Sequence, residues 1–145
     1  MTPDVNVVVA ASRSDHPHHA VARSWLEDAV AAAEAGASLT LMPMVLTSFL
    51  RLVTSPKIFK APTPMEDALT FVDALLDSPG VHLAPLGPEW PKLRQLCIDK
   101  QLNGNDLPDA WLSAAVVHLG EHLISFDRDF RKLLGRGQFT LLKPP

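Results

Sequence analysis

A single cysteine, Cys97, leaves no internal disulfide available. The chain therefore suits a reducing compartment, and a buried structural thiol is expected there in preference to a nucleophile. Basic residues are not in excess: 13 Lys and Arg stand against 16 Asp and Glu, a formal net charge of −3. That excludes indiscriminate phosphate binding and leaves any attraction to a nucleic acid to a local basic patch or a bound metal. No set of Cys and His has zinc spacing. "DHPHH", with His16, His18 and His19, comes nearest and reads more simply as a polar helix start interrupted by Pro17. The greasiest stretch, "SLTLMPMVLTSFLRLVT", is broken by Pro43 and carries Arg51, too short and too polar to span a bilayer. "MTPDVNV" lacks the basic-then-apolar order of a signal peptide. A cytoplasmic protein without membrane attachment is expected, and no repeat or low-complexity tract interrupts it.

What is present is the composition of one globular domain: 145 residues, 47% apolar and 20% charged, enough to bury a single core. Prolines punctuate the chain. "PDVNVVVAAS" is apolar and β-branched, a buried strand on propensity. Asp15 or His16 then opens a helix through "HHAVARSWLEDAVAAAEAG", closed by Gly36. "SLTLM" reads as a strand, and Pro43 suits the first turn of the helix "PMVLTSFLRLVT". In "TPMEDALTFVDALLDSPG", Thr63 and Glu66 have capping-box spacing around Pro64. "VHLA" is a strand and "PEWPKLRQLCIDKQL" a helix; "NGND" is a turn before the helix "LPDAWLSAAVVHLG", which Asp106 is placed to cap. "HLISF" is a strand, "DRDFRKLL" a short helical turn, and "FTLLK" a last edge strand.

Strands alternating with helices imply a parallel sheet covered on both faces, whose ligands bind beyond the carboxyl ends of the strands. Three distant acids fall at such places: Asp4 in the first strand, Asp109 at a helix start, and Asp127 directly after "HLISF". Carboxylates gathered without a cation repel one another, and hard divalent cations prefer oxygen, so the grouping makes most chemical sense around a metal. Arg128, Arg131, Lys132 and Arg136 form the densest basic patch, adjacent to these acids. That patch is either solvated surface or a hold on RNA phosphates. Trp25, Trp90 and Trp111 lie among apolar helical positions and read as core or interface. Met42, Met44, Val45 and Phe49, with the "ALTFVDALL" helix, read as core or as a surface for a partner protein.

The blocks "PDVNVVVAASRSDHPHHAVARSWL", "FLRLVTSPKIF", "NGNDLPDAWLSAAVVHLG" and "LISFDRDF" together resemble, in order and over nearly the whole chain, a PIN-domain ribonuclease of the VapC toxin type. The resemblance implies a single domain over residues 1–145, a three-layer α/β/α sandwich around a parallel sheet. It implies an endoribonuclease using Mg²⁺ or Mn²⁺, a homodimer, and neutralisation by a small antitoxin. Carried over residue by residue, Asp4, Asp109 and Asp127 match the metal-binding acids, Asp129 matches the additional acid of "DRDF", and Asn6 and Ser125 match polar neighbours that orient them. It also implies that "NVVVAAS" is helical, against its propensity. Two departures stand out. Ser48 occupies the place where the family usually has a glutamate, and Thr2-Pro3 replaces apolar residues before Asp4, so a short first strand is expected. Two rival readings remain open: a weakened module that binds RNA or antitoxin without efficient cleavage, and a Mg²⁺ phosphatase, although "DVN" lacks the second carboxylate of the aspartyl-phosphate motif.

Overall fold

Five short parallel strands run through the middle of the computed structural model, which describes residues 1–144. β1 (Thr2–Pro3) pairs with β4 (Leu123–Ser125), and β4 with β5 (Phe139–Leu141), while β2 (Leu39–Leu41) pairs with β3 (Val81–Leu83). The two groups join through main-chain bonds at Met1, whose carbonyl accepts the Thr40 N–H at 2.9 Å and whose ammonium donates to the Ser38 carbonyl at 3.4 Å. The order is thus β3-β2-β1-β4-β5, a doubly wound sheet whose direction reverses between β1 and β4. β1 is short, as expected, yet firmly held. Pro3 has no N–H to give, and the donors on either side supply the bonds: Thr2 to the His122 carbonyl at 2.9 Å and Asp4 to the Ile124 carbonyl at 2.8 Å.

The helices are α1 (Val5–Ser12), α2 (His19–Glu34), α3 (Pro43–Val53), α4 (Met65–Leu76), α5 (Trp90–Asp99) and α6 (Leu107–Leu119). Right-handed crossovers place those between β1 and β3 on one face and α5 and α6 on the other. The packing agrees: α1 lies on α2 and α3, α3 on α4, and α5 on α6. This is the three-layer α/β/α sandwich. Its core runs from Val7, Val8 and Leu26 through Leu39, Leu41, Phe49 and Val53 to Leu123, Phe130 and Phe139. Met42, Val45 and Phe49 belong to that core, and Trp25 packs against it. Among the described residues no helix is long and apolar enough to cross a membrane.

The valine-rich "VNVVVAAS" is α1, not a strand. The Asp4 side chain accepts the Val5 N–H at 2.7 Å, capping the helix, and Val7 through Ala11 are all buried. A helix covered on every side shows no amphipathic period, and its sequence is then indistinguishable from a buried strand. Three terminal signals resolve differently from the sequence expectation. α2 begins at His19, because Pro17 and a local bond from the His18 N–H to His16 Nδ1 at 3.0 Å hold the preceding residues in a turn. The Thr63–Glu66 box does not form: Pro64 stands at the cap, and the Thr63 hydroxyl accepts from Arg13 at 3.0 Å. Asp106 precedes α6 but does not cap it. Its carboxylate turns back to the Asn103 N–H at 3.3 Å and closes the 3₁₀ turn Gly104–Asp106.

Arg13 ties the α3–α4 connection to the end of α1. It is 8% exposed, donates to both Asp15 carboxylate oxygens at 3.0 and 2.7 Å, to Thr63 Oγ1 at 3.0 Å and to the Ala61 carbonyl at 2.9 Å. Its guanidinium lies 3.8 Å from the centre of the Phe59 ring. Arg13→Met keeps the packing stem and removes every one of these donors. Urea denaturation is expected to show a loss of about 2–4 kcal/mol, the range for breaking a buried, charged hydrogen-bond set. A change below about 0.5 kcal/mol, the scatter of ordinary surface substitutions, would mean that the clasp is dispensable.

Candidate active site

The edge where the strand order reverses is built around one buried carboxylate. Asp4 ends β1 and starts α1 and is only 6% exposed; Oδ1 accepts from the Val5 N–H, and Oδ2 accepts the Ser125 hydroxyl proton at 2.8 Å. Ser125 is the last residue of β4, fully buried, and its single oxygen is used completely. Having donated its proton to Asp4, it accepts from Asn6 Nδ2 at 3.0 Å and from the Asp127 N–H at 2.9 Å. Asn6 Oδ1 in turn accepts the Phe126 N–H at 3.2 Å. Asn6 and Ser125 thus lock the β4 exit to the β1 exit, the orienting place implied for them. Asp127 caps the 3₁₀ segment Arg128–Lys132 by accepting the Asp129 N–H at 2.9 Å, and Asp109 stands half-buried in the first turn of α6.

These acids share a field. Burial pushes the Asp4 pKa up to about 6; its hydrogen bonds to Ser125 and Val5 oppose that, and the charges of Asp109 and Asp127 add to it. Burial also raises Asp109, followed by the charges of Asp127, Asp129 and Asp106. Among the described residues, no three His, Cys, Asp or Glu side chains stand as a closed metal-ligand set. The edge instead offers carboxylates near enough to raise the pKa of Asp4 and of Asp109 without meeting at a point. That suits a hard cation held partly through water, since Mg²⁺ keeps several of its waters. The histidines are occupied elsewhere: His18 stacks on Phe126 with ring centres 4.8 Å apart, and His19 Nδ1 lies 2.8 Å from the Ala10 carbonyl.

Two cavities meet at Asp109. One, of about 890 Å³, is an apolar groove between α3, α5 and α6 that reaches Asp4 and Asp109. Ser48 and Arg51 line it from α3, one helical turn apart. Trp90 and Trp111, 62% and 38% exposed, wall it from α5 and α6, and Cys97, half-buried and not fully buried as expected, lies there too. Buried Glu89 accepts the Trp111 indole N–H at 3.0 Å and fixes that wall. The other cavity, of about 400 Å³, has a mixed lining: the charged Lys100, Asp106, Asp109, Asp129 and Lys132, with Leu102 and Leu133 between them. The basic patch is therefore divided. Lys132 faces the acids, Arg131 and Arg136 line a separate cavity of about 610 Å³ with Phe139 and Leu141, and Arg128 borders neither. Sequence reasoning missed Lys100 and Glu89, which carry no motif and reach the site only through the α5–α6 packing.

A doubly wound parallel sheet with carboxylates gathered at its reversal point defines an α/β sandwich with an acidic carboxyl edge. The PIN domain family model matches residues 1–134, and the chain belongs to that family. It is 40% identical over 133 residues to Ribonuclease VapC25 of Mycobacterium tuberculosis, with 89% of each chain covered. It is 39% identical over 135 residues to Ribonuclease VapC31 of the same organism, again over 89% of each. The fold is shared with a chain of VapBC2 from Rickettsia felis, solved bound to a DNA fragment from their promoter. That match has a TM-score of 0.64 at 13% identity over 97% of this chain and 96% of the other.

The Asp4 shift has a defined sign. Its folded pKa of about 6 lies above the ordinary value of 3.8, so the folded chain holds this proton more tightly. Stability from this group is full below the ordinary value and is lost as pH rises through about 6, a cost of about 3 kcal/mol at neutral pH. Thermal melts in EDTA are expected to move to higher temperature as pH falls from 8 to 5.5. That dependence is expected to flatten in Asp4→Asn, and an equally steep pH dependence in the variant would assign the effect to another group.

Proposed function

We propose that the protein is a Mg²⁺-dependent endoribonuclease, the toxin of a toxin–antitoxin pair, with Mn²⁺ able to replace Mg²⁺. The observation that carries this is the buried Asp4 carboxylate, held by Ser125 and raised in pKa beside Asp109 and Asp127, in a PIN-family chain whose relatives are named ribonucleases. Asp4, Asp109 and Asp127 would hold the ion, with Asp129 assisting; when bound, it supplies charge to the phosphodiester oxygens and acidifies a nearby water. The chain's own part is positional. Ser125 and Asn6 keep Asp4 and the start of the Asp127 loop in register. No side-chain nucleophile is required. Lys132, which lines the cavity beside Asp109 and Asp129, would hold a flanking RNA phosphate, whereas the expected contribution of Arg128, Arg131 and Arg136 is not supported at that cavity.

The exposed apolar residues around the groove, Trp90, Leu107 and Trp111, and those on α4, Met65 and Leu69, support protein partners in a cytoplasmic setting: a second copy of the chain and a small antitoxin. The VapBC2 likeness adds to the second of these. One observation favours the rival reading of a weakened binding module. Ser48 lines the groove that reaches Asp4 and Asp109 and offers no carboxylate there.

Asp109→Asn and Asp127→Asn each remove one charge and keep the shape. RNA cleavage in Mg²⁺ is expected to fall by on the order of 100-fold or more, since even outer-shell partners of a metal are worth 10–100-fold. The metal-free fold is expected to melt no earlier than the parent, because repulsion is relieved. Parent-like cleavage by both variants would remove the acids from the mechanism. Ser48→Glu adds a ligand oxygen and is expected to tighten Mn²⁺ binding in a calorimetric titration. Unchanged affinity would mean that the α3 side chain does not reach the ion.

A further inference from the structure

Lys100 is the cation that neither the sequence motifs nor the acid site accounts for. It is exposed at the end of α5, and among the described residues it makes no ion pair within 4.0 Å, although Asp106 and Asp109 line the same cavity. Gln101, next to it, is the one non-glycine residue with positive φ, at 49°, among those described. That left-handed turn ends α5 sharply and leaves Lys100 at the cavity rim instead of continuing the helix past it. The same cavity is lined by Lys132, 80% exposed, with only a loose contact to Asp129 at 3.9 Å. Such a contact in water contributes little, so the ammonium is free to exchange partners. Asp106 is already turned back to the Asn103 N–H.

We infer that the cavity between the α5–α6 turn and the 128–132 segment is a phosphate subsite for single-stranded RNA, gripped by Lys100 from the first of these and Lys132 from the second. It rests on the nuclease reading above and deepens it. The cavity and the apolar groove share Asp109 and no other residue, so Asp109 separates a seat with charged walls from an apolar one. A strand with its scissile phosphate at Asp109 has its next phosphate on the lysine side. Lysine serves such a contact as a compact point charge that tolerates any base sequence. Arg131 and Arg136, opening to a different cavity, do not face this path.

The test is salt-dependent binding of a fluorescent single-stranded oligoribonucleotide, read by anisotropy, in an Asp127→Asn background that suppresses cleavage. Each phosphate contact on single-stranded nucleic acid contributes about 0.7 to the slope of log K against log salt. Lys100→Ala with Lys132→Ala removes that one phosphate contact and is expected to make the slope shallower by about 0.7 and, if the lines meet near 1 M, to weaken binding roughly 5-fold at 0.1 M. Arg23→Ala, on the outer face of α2, is the control and is expected to leave slope and affinity unchanged. If the parent protein cleaves the oligonucleotide in Mg²⁺ but the lysine pair leaves the slope unaltered, the subsite is wrong and the nuclease reading stands. If the parent does not cleave and the background variant does not bind, both fall.

Discussion

Everything at the carboxyl edge depends on keeping one carboxylate out of water. Asp4 is the link between β1 and α1 and sits against the end of β4, so its desolvation is set by the sheet and not by a mobile loop. The two hydrogen bonds it receives offset part of that cost and leave the rest as a raised pKa, an unfavourable charge for which a cation is the natural partner. The same bonds fix neighbours. Because the Ser125 oxygen is shared among Asp4, Asn6 and the Asp127 N–H, moving any of them disturbs the others. The reversal of strand order between β1 and β4 makes this possible, since it opens the crevice where both strand exits lie side by side.

The element order and the α/β class were legible because most segments carried their own periodicity and punctuation. Pro43 opens α3 and Gly120, at φ 65°, closes α6 where the sequence placed them. α1 was not legible from pattern, since complete burial erases the helical period, and only the resemblance of its motif to a known family corrected it. The false capping box at Thr63 failed for a tertiary reason: a hydroxyl that local sequence assigns to a helix end is taken by an arginine fifty positions earlier. The His16–His19 segment misled in the same way, its rings being used by one another, by Phe126 and by the Ala10 carbonyl.

The candidate acids could be singled out because an acid after an apolar run is costly and needs a reason, and the structure brings Asp109 and Asp127 close enough to act on Asp4. What surrounds them could not be singled out. The basic run from Arg128 to Arg136 looks continuous in sequence, yet the 3₁₀ turn rotates successive side chains to different sides and divides it between two cavities. Lys100 and Glu89 join the site from α5, which carries no catalytic motif and is positioned by its packing on α6. The result is an edge with two characters, apolar toward α3 and α5 and charged toward the 128–132 segment, with Asp109 at their junction.

The central claim is that these acids hold a divalent cation, and the most direct measurement is anomalous diffraction from crystals soaked in Mn²⁺. A peak within coordination or single-water distance of the Asp4, Asp109 and Asp127 carboxylates, about 2 Å or one bridging water beyond, is the predicted result. A fully occupied ion elsewhere on the chain, with the three acids contacting only protein and solvent, would contradict it.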